Sequence, residues 1–327
     1  MPLFSQDLRF SLLRRHGTFP LAYSAACQPN LQYFGDQRGY IAYKQVGRTT
    51  LVLSDPVAPL DQYPTLIRDF VAKHPDVCFC QSSRQVAEIL EELGFLVNEM
   101  GVETRLDLDS YSFQGNKRQN LRNAANRINR RGYEIRECSM TSLDRGEVMA
   151  VSDAWKQTRT LRNREVVFLN RPIVLDDEPD VRKFFVFDRD NSLVAFAFFD
   201  PIYESDRVIG YITSIKRNRP DADMKVAQAI YRFAIETFQR EGKKWLFLGI
   251  SPMAGVRDDE FRRNWLVKKA FLRVYENRFF NRFIYPLQGH ALHKRQYGGV
   301  EEQTYFAFNR PPGIPRLFKL LRACNVI

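Results

Sequence analysis

The sequence is poor in the residues from which metal and redox centres are built. Its 327 residues hold five cysteines and four histidines. Cys27, Cys78, Cys80, Cys138 and Cys324 form no C-x-x-C pair, and Cys78 and Cys80 lie in an apolar run. That usage suits reduced, buried thiols rather than a disulfide framework. His16, His74, His290 and His293 offer no ligand spacing, so no metal is expected. No apolar run approaches the roughly 18–20 residues of a membrane-crossing helix. The opening MPLFSQDLRFSLLRRHG has neither the core nor the cleavage site of a secretory signal. The expectation is a cytoplasmic chain, with peripheral contact at the inner face of a membrane as a further option.

Acid is missing from one stretch. Between Ser110 and Tyr133 there is no Asp or Glu, while Lys117, Arg118, Arg122, Arg127, Arg130 and Arg131 alternate with Asn116, Asn120, Asn123, Asn126 and Asn129. At 100° per residue, Leu121, Ala124, Ala125 and Ile128 fall in one narrow arc. The stretch reads as a helix that docks by a thin apolar stripe and turns its basic surface outward. Such a surface is either a solvated face or a phosphate holder. The whole chain carries a formal charge of +11, which favours an anionic partner: nucleic acid, a nucleotide or an anionic membrane. Hydrophobic residues at 44% are enough to bury a core, and the length suits two domains.

The pattern of elements repeats. GYIAYKQV and TTLVL read as a hairpin across Gly47-Arg48. A helix over 63–73, the strand VCFCQ, the helix RQVAEILEELG and a strand over 102–108 follow. In the second half, FFVFD and LVAFAFF read as a hairpin and RVIGYITSI as a third strand ending at Ile215. A helix over 223–241, the buried strand WLFLGI, a long helix over 260–280 and the strand TYFAF complete it. The C-terminal PRLFKLLRACNVI is amphipathic and basic. It either packs as a last helix or touches an anionic membrane.

Hairpin, third strand, helix, buried strand, helix, strand resembles the core of GNAT acyltransferases. The resemblance implies an α/β (α+β) fold with two tandem GNAT-like acyltransferase domains, residues 1–112 and 133–327, joined by the basic helix 113–132. The acyl donor would sit where two parallel strands part. The glycine-rich loop that ordinarily takes the pyrophosphate of coenzyme A is missing; Lys216, Arg217 and Arg219 stand there. No bound cofactor is implied.

Four stretches resemble the soluble C-terminal domain of phosphatidylglycerol lysyltransferases: LSDPVAP (53–59), FQGNKRQNLRNAANRINRRGY (113–133), WLFLGISPMAGV (245–256) and FIYPLQGHALHKRQYGGVEEQTYFAF (283–308). The second is similar to the family's basic helix, F-x-G-x-K-x-x-x-L-R-x-x-x-N-R. The resemblance implies transfer of an aminoacyl group from aminoacyl-tRNA, to a lipid hydroxyl in the lysyltransferases. This chain is read as a member without the membrane half, so a small-molecule acceptor is also in view.

By that resemblance Arg217 matches a functional arginine after the third strand. It would grip a phosphate through two parallel hydrogen bonds; the plain alternative is a solvated loop charge. Three residues earlier the family has an aspartate and this chain has Ser214. That departure implies a small or neutral donor residue in place of a cationic one. Lys294 matches the closing-segment lysine and would neutralise a phosphate or an oxyanion. His290 and His293, nearby, are candidates for a general base or for plain surface residues. Lys117, Arg118, Arg122, Asn126 and Arg127 are expected to bind tRNA or lipid phosphates. Glu103 and Asp55 are the best carboxylates of the first half, each equally readable as a strand-end residue. Ser251 reads as a cap or as a donor to an acyl oxygen. Two other functions fit the same fold: an acyl-CoA- or acyl-carrier-dependent acyltransferase, and a non-catalytic RNA- or membrane-binding protein.

Overall fold

A computed structural model describes residues 4–159, 164–311 and 313–326, with the Lys117 side chain outside what is described. The chain opens with α1 (Gln6–His16) and α2 (Ala22–Cys27). There follow β1 (Gln32–Asp36), β2 (Gly39–Val46), β3 (Thr49–Leu53), α3 (Tyr63–Lys73), β4 (Val77–Ser82), α4 (Arg84–Glu92) and β5 (Leu96–Asp107). The basic stretch becomes a 3-10 turn (Asn116–Arg118) and α5 (Gln119–Arg130). Next come β6 (Glu134–Glu137), α6 (Arg145–Gln157), β7 (Arg182–Phe187), β8 (Leu193–Glu204) and β9 (Arg207–Asn218). The rest is α7 (Val226–Arg240), β10 (Trp245–Pro252), α8 (Trp265–Glu276), α9 (Leu287–Arg295), β11 (Val300–Phe308) and α10 (Ile314–Ala323).

Local chemistry explains the boundaries. Gly47 turns the β2–β3 hairpin at φ 63°, a region where a side chain is strained. Ser83 starts α4, its Oγ accepting from the Val86 N–H, and Val86, Ala87 and Leu90 face inward. On α5, Leu121, Ala124 and Ile128 are buried against α7, as the narrow apolar arc requires.

The eleven strands of the described residues form one sheet, in the order β1-β2-β3-β4-β11-β5-β10-β9-β8-β7-β6. The two halves therefore interlock. β11, last in the chain, pairs antiparallel with both β4 and β5, and β5 pairs antiparallel with β10. Helices α3 and α4 cover one face of the first half. Helices α1, α2 and α10 cover the other. α5 and α7 cover one face of the second half, and α6 the other.

Two expectations shift, and one open choice is decided. The third strand of the second half runs on to Asn218, so Lys216 and Arg217 lie in a strand, not a loop. The expected helix over 260–280 is α8 alone, followed by a π-helical turn at Phe280–Ile284. The C-terminal segment packs as α10, burying Leu320 and Ala323. Among the described residues no helix is long and apolar enough to cross a membrane.

Candidate active site

Parallel strands β9 and β10 pair only through Gly210–Ile212 and Trp245–Phe247. Beyond that they part. β10 loses register with β5 between Phe247 and Ile250, where Gly249 adopts φ 84°. The corresponding parallel pair in the first half, β3 and β4, stays shut. Ser54 donates its N–H to Cys80 O at 2.9 Å and its Oγ–H to Gln81 O at 2.9 Å. Asp55 continues the closure, accepting from the Ser83 N–H at 2.8 Å, and burial pushes its carboxyl up to about 6. Asp55 thus serves the strand end, and the open gap belongs to the second half.

The gap collects charge. Lys294, from α9, turns its ammonium inward and donates to Gly249 O at 2.7 Å and Ile250 O at 2.5 Å. Glu103, from β5, is buried opposite Ile250 and sits in the field of Lys294. Burial drives its carboxyl upward against the pull of Lys294 and the Gly249 N–H. Burial likewise drives the Lys294 ammonium down, with Glu103 opposing. Lys216 on β9 lies by the Tyr231 ring, 5.4 Å from its centroid. Burial, with the charge of Arg159, lowers it to about 8. His290 falls to about 4 and His293 to about 3, chiefly by burial and then by the positive charge of Lys216. Both imidazoles are therefore neutral at pH 7 and are weak bases.

Several buried polar atoms here have no partner among the described residues: Glu103 Oε1, Gln81 Oε1, Ser251 Oγ and His293 Nε2. Buried polar groups are ordinarily satisfied, so this cluster is shaped for a polar ligand or for water. Ser251 is fully buried within β10 and is not a helix cap.

Arg217 and Ser214 occupy the other face of β9. Arg217 stacks on Trp155 of α6, 3.8 Å from the ring centroid, and donates to Glu165 at 2.6 Å. Ser214 is the extra residue of a bulge between the pairs Phe198↔Ile215 and Phe199↔Thr213. Its Oγ donates to Asp200 at 2.7 Å. A carboxylate thus stands beside Ser214 after all, supplied by β8. It is already taken: Arg171 holds Asp200 through two bonds of 2.8 Å and also binds Glu178, which pairs with Lys183.

Four arginines of the basic stretch have partners within the protein. Arg118 donates to Ser112 O and stacks on Tyr111. Arg122 donates to Phe113 O and Gly115 O. Arg127 and Arg131 both reach Asp223, at the entrance to α7. Asn123, Asn126, Asn129 and Arg130 line a shallow groove open to solvent.

The structure brings Glu103, Ser251, His290, His293 and Lys294 to one gap. It sets Arg217 and Ser214 across the sheet and the basic helix beyond α7. Sequence reasoning named Lys216 without giving it a place in the site. Its signal was position, one residue before the arginine at the end of an apolar strand. Tyr231 and Asp200 gave no signal, since one reads as helix core and the other as a strand polar.

A family model described as phosphatidylglycerol lysyltransferase, C-terminal, matches residues 10–308, and the chain belongs to that family. The phosphatidylglycerol lysyltransferase of Bacillus subtilis (strain 168) is 23% identical over 295 residues, 86% of this chain and 33% of that protein. That of Staphylococcus aureus (strain MRSA252) is 22% identical over 84% of this chain and 32% of its own length. The chain thus spans about a third of the curated relatives it matches. Among solved structures, L-PGS from Bacillus licheniformis superposes with a TM-score of 0.80 at 21% identity, covering 98% of this chain and 95% of that one. FemX superposes with a TM-score of 0.56 at 10% identity, covering 97% and 98%. The fold is accordingly a mixed α/β fold shared with L-PGS and FemX.

Proposed function

We propose that this chain is an aminoacyltransferase that moves an aminoacyl group from aminoacyl-tRNA to a hydroxyl of a phosphatidylglycerol-like lipid or a small-molecule acceptor. The observation that carries the reading is the parted β9–β10 pair, lined by Lys216, Lys294 and buried Glu103, in a member of this family.

The reaction needs little chemistry from the protein, because the donor ester is already activated. The acceptor oxygen bonds to the ester carbonyl carbon, and the bond from that carbon to the tRNA ribose oxygen breaks. The acceptor's proton ends on the ribose oxygen. Glu103, with a raised carboxyl and a free Oε1, relays that proton. Lys294 and Lys216 face the negative charge that develops on the carbonyl oxygen and the charge of the acceptor phosphate. Ser251 donates to the acyl group. His290 and His293 act as neutral hydrogen-bonding walls. Arg217 exchanges Glu165 for a phosphate of donor or acceptor.

In this reading residues 1–112 are scaffold that lends Glu103, and residues 133–327 carry the gap. The helix of 113–132 faces tRNA through Asn126 and its exposed neighbours, while Arg118, Arg122 and Arg127 exchange their partners within the protein for phosphate. The saturation of Asp200 by Arg171 leaves no spare carboxylate beside Ser214, which supports a small or neutral donor residue.

The test offers the protein a pool of labelled aminoacyl-tRNAs, with phosphatidylglycerol vesicles in one arm and a small-molecule extract in the other. Label should leave tRNA for one acceptor fraction. Binding of tRNA should weaken with salt, and Arg130→Ala should reduce the slope of log K against log salt by about 0.7–0.9. If no aminoacyl-tRNA is consumed while an acyl thioester is, the donor assignment is wrong.

A further inference from the structure

From Asn277 to Val300 the chain has no acidic residue, and six of its large hydrophobic side chains face outward. Phe279 is 64% exposed, Leu292 60% and Ile284 39%. Phe283, also exposed, stacks with Phe279 at 5.0 Å between centroids, and Arg282 lies 5.2 Å over its ring. The backbone beneath is firmly built. The Asn281 amide donates to Tyr275 O at 2.7 Å and to Asn277 O at 3.0 Å, and its Oδ1 accepts from the Gln288 N–H at 2.9 Å. The Gln288 amide also donates to Tyr275 O at 2.8 Å. Polar side chains thus pin the turn from within while aromatic and aliphatic ones face water.

We infer that this ledge, residues 278–292, docks on the surface of an anionic lipid bilayer and feeds headgroups to the gap between β9 and β10. The inference deepens the proposed transfer to a lipid and rests on it. Charge selects the partner: Arg278 and Arg282 are exposed beside the apolar groups, the combination that binds anionic interfaces. Composition favours a bilayer over RNA: the exposed Phe279 and Phe283 rings could take a base, but Ile284 and Leu292 beside them suit acyl chains and give a base nothing to stack on. Continuity ties the ledge to the site. Tyr285 stacks on His290 at 5.0 Å between centroids, and His290 lies within the fields of Lys216 and Lys294. A lipid whose chains sit at the ledge has its headgroup beside both lysines.

The experiment measures co-sedimentation of the full chain with phosphatidylcholine vesicles, with and without phosphatidylglycerol, beside transfer to a water-soluble, chain-free phosphatidylglycerol headgroup. The wild type should bind the anionic vesicles and pass over the neutral ones. Phe279→Ser with Leu292→Ser should lower that binding at least tenfold. Arg278→Gln with Arg282→Gln should lower it about 25-fold, at roughly fivefold per charge. All four residues are exposed, so folding should be kept, and circular dichroism checks it. The ledge variants should transfer to the water-soluble headgroup as the wild type does. Wild-type indifference to both vesicles, or equal binding by the variants, overturns the ledge whatever the transfer assay shows. So does a loss of tRNA binding in the ledge variants that leaves vesicle binding intact. Absence of transfer to any acceptor with vesicle binding intact overturns the catalytic reading and leaves the ledge standing.

Discussion

Replacing Lys294 by Met tests the centre of the gap with two readouts. The ammonium donates to Gly249 O at 2.7 Å and Ile250 O at 2.5 Å and faces buried Glu103. Bonds from a charged donor contribute about 1.5–3 kcal/mol each. Removing the lysine also removes the cost of keeping an ammonium out of water. The net loss should be about 2–4 kcal/mol. The pH dependence is more diagnostic. Lys294 restrains the upward shift of Glu103, so in the variant that carboxyl rises further above its unfolded value. A carboxyl raised on folding loses stability as pH climbs from the unfolded value through the folded one. The variant's deficit should therefore be larger at pH 8.5 than at pH 5.5, by about 1–2 kcal/mol, since a tenfold change in proton affinity is worth about 1.4 kcal/mol. Urea unfolding at the two pH values, followed by tryptophan fluorescence, measures it. The double variant Lys294→Met with Glu103→Gln should show the pH-independent part alone. Aminoacyl transfer should fall at least a hundredfold in the single variant, about 2.7 kcal/mol of transition-state stabilisation. A deficit equal at both pH values, or one untouched by Glu103→Gln, would refute the coupling. Unchanged transfer would refute the site.

Arg217→Ala breaks the Glu165 pair and the stack on Trp155. It should cost about 1–3 kcal/mol in thermal unfolding and most of the transfer rate, with Arg217→Lys failing to restore the rate because it lacks the planar fork. Lys216 is lowered to about 8 by burial, so its positive charge is present below that pH and lost above it. Calorimetric affinity for a soluble phosphodiester should drop about tenfold between pH 6.5 and pH 9.5, and Lys216→Arg should shrink that drop to the part carried by Lys294, which burial also lowers. Ser214→Asp sets a second carboxylate against Asp200, 2.7 Å from the present Oγ. It should destabilise by about 1–3 kcal/mol and move donor preference toward cationic aminoacyl groups; an unchanged preference across labelled tRNAs would disconnect residue 214 from donor choice.

Much of the architecture is written in local periodicity. The arc of Leu121, Ala124 and Ile128 is a helix property, and it foretold the buried stripe of α5. The Ser83 cap and the Gly47 turn are equally local. β1 and β6 escaped because their edge positions leave them partly exposed, without a clean apolar alternation. The exchange of β5 and β11 had no local sign at all. It depends on pairings such as Glu103 with Glu302, which sequence spacing does not encode. The site divides in the same way. Lys294, Arg217 and Glu103 stood out as charges set in apolar or motif context. The burial that unites Lys216, Tyr231 and the histidines, and the bulge that puts Asp200 against Ser214, arise only once the strands are placed.

The interlocked sheet also bears on how the chain is made. β5 lies between β10 and β11, and β11 lies between β4 and β5. As the chain leaves the ribosome, the first half therefore has an unfilled slot beside β4 until residues 300–308 arrive. Domains ordinarily fold in the order of their synthesis. Here that order fails, and β4, whose Val77, Cys78, Phe79 and Cys80 are all fully buried in the finished protein, presents a bare edge for most of translation. Such an edge is open to wrong pairing. Truncation before β11 should accordingly yield an aggregating first half instead of a folded one, and the nascent chain should be a client of chaperones until its last strand is delivered.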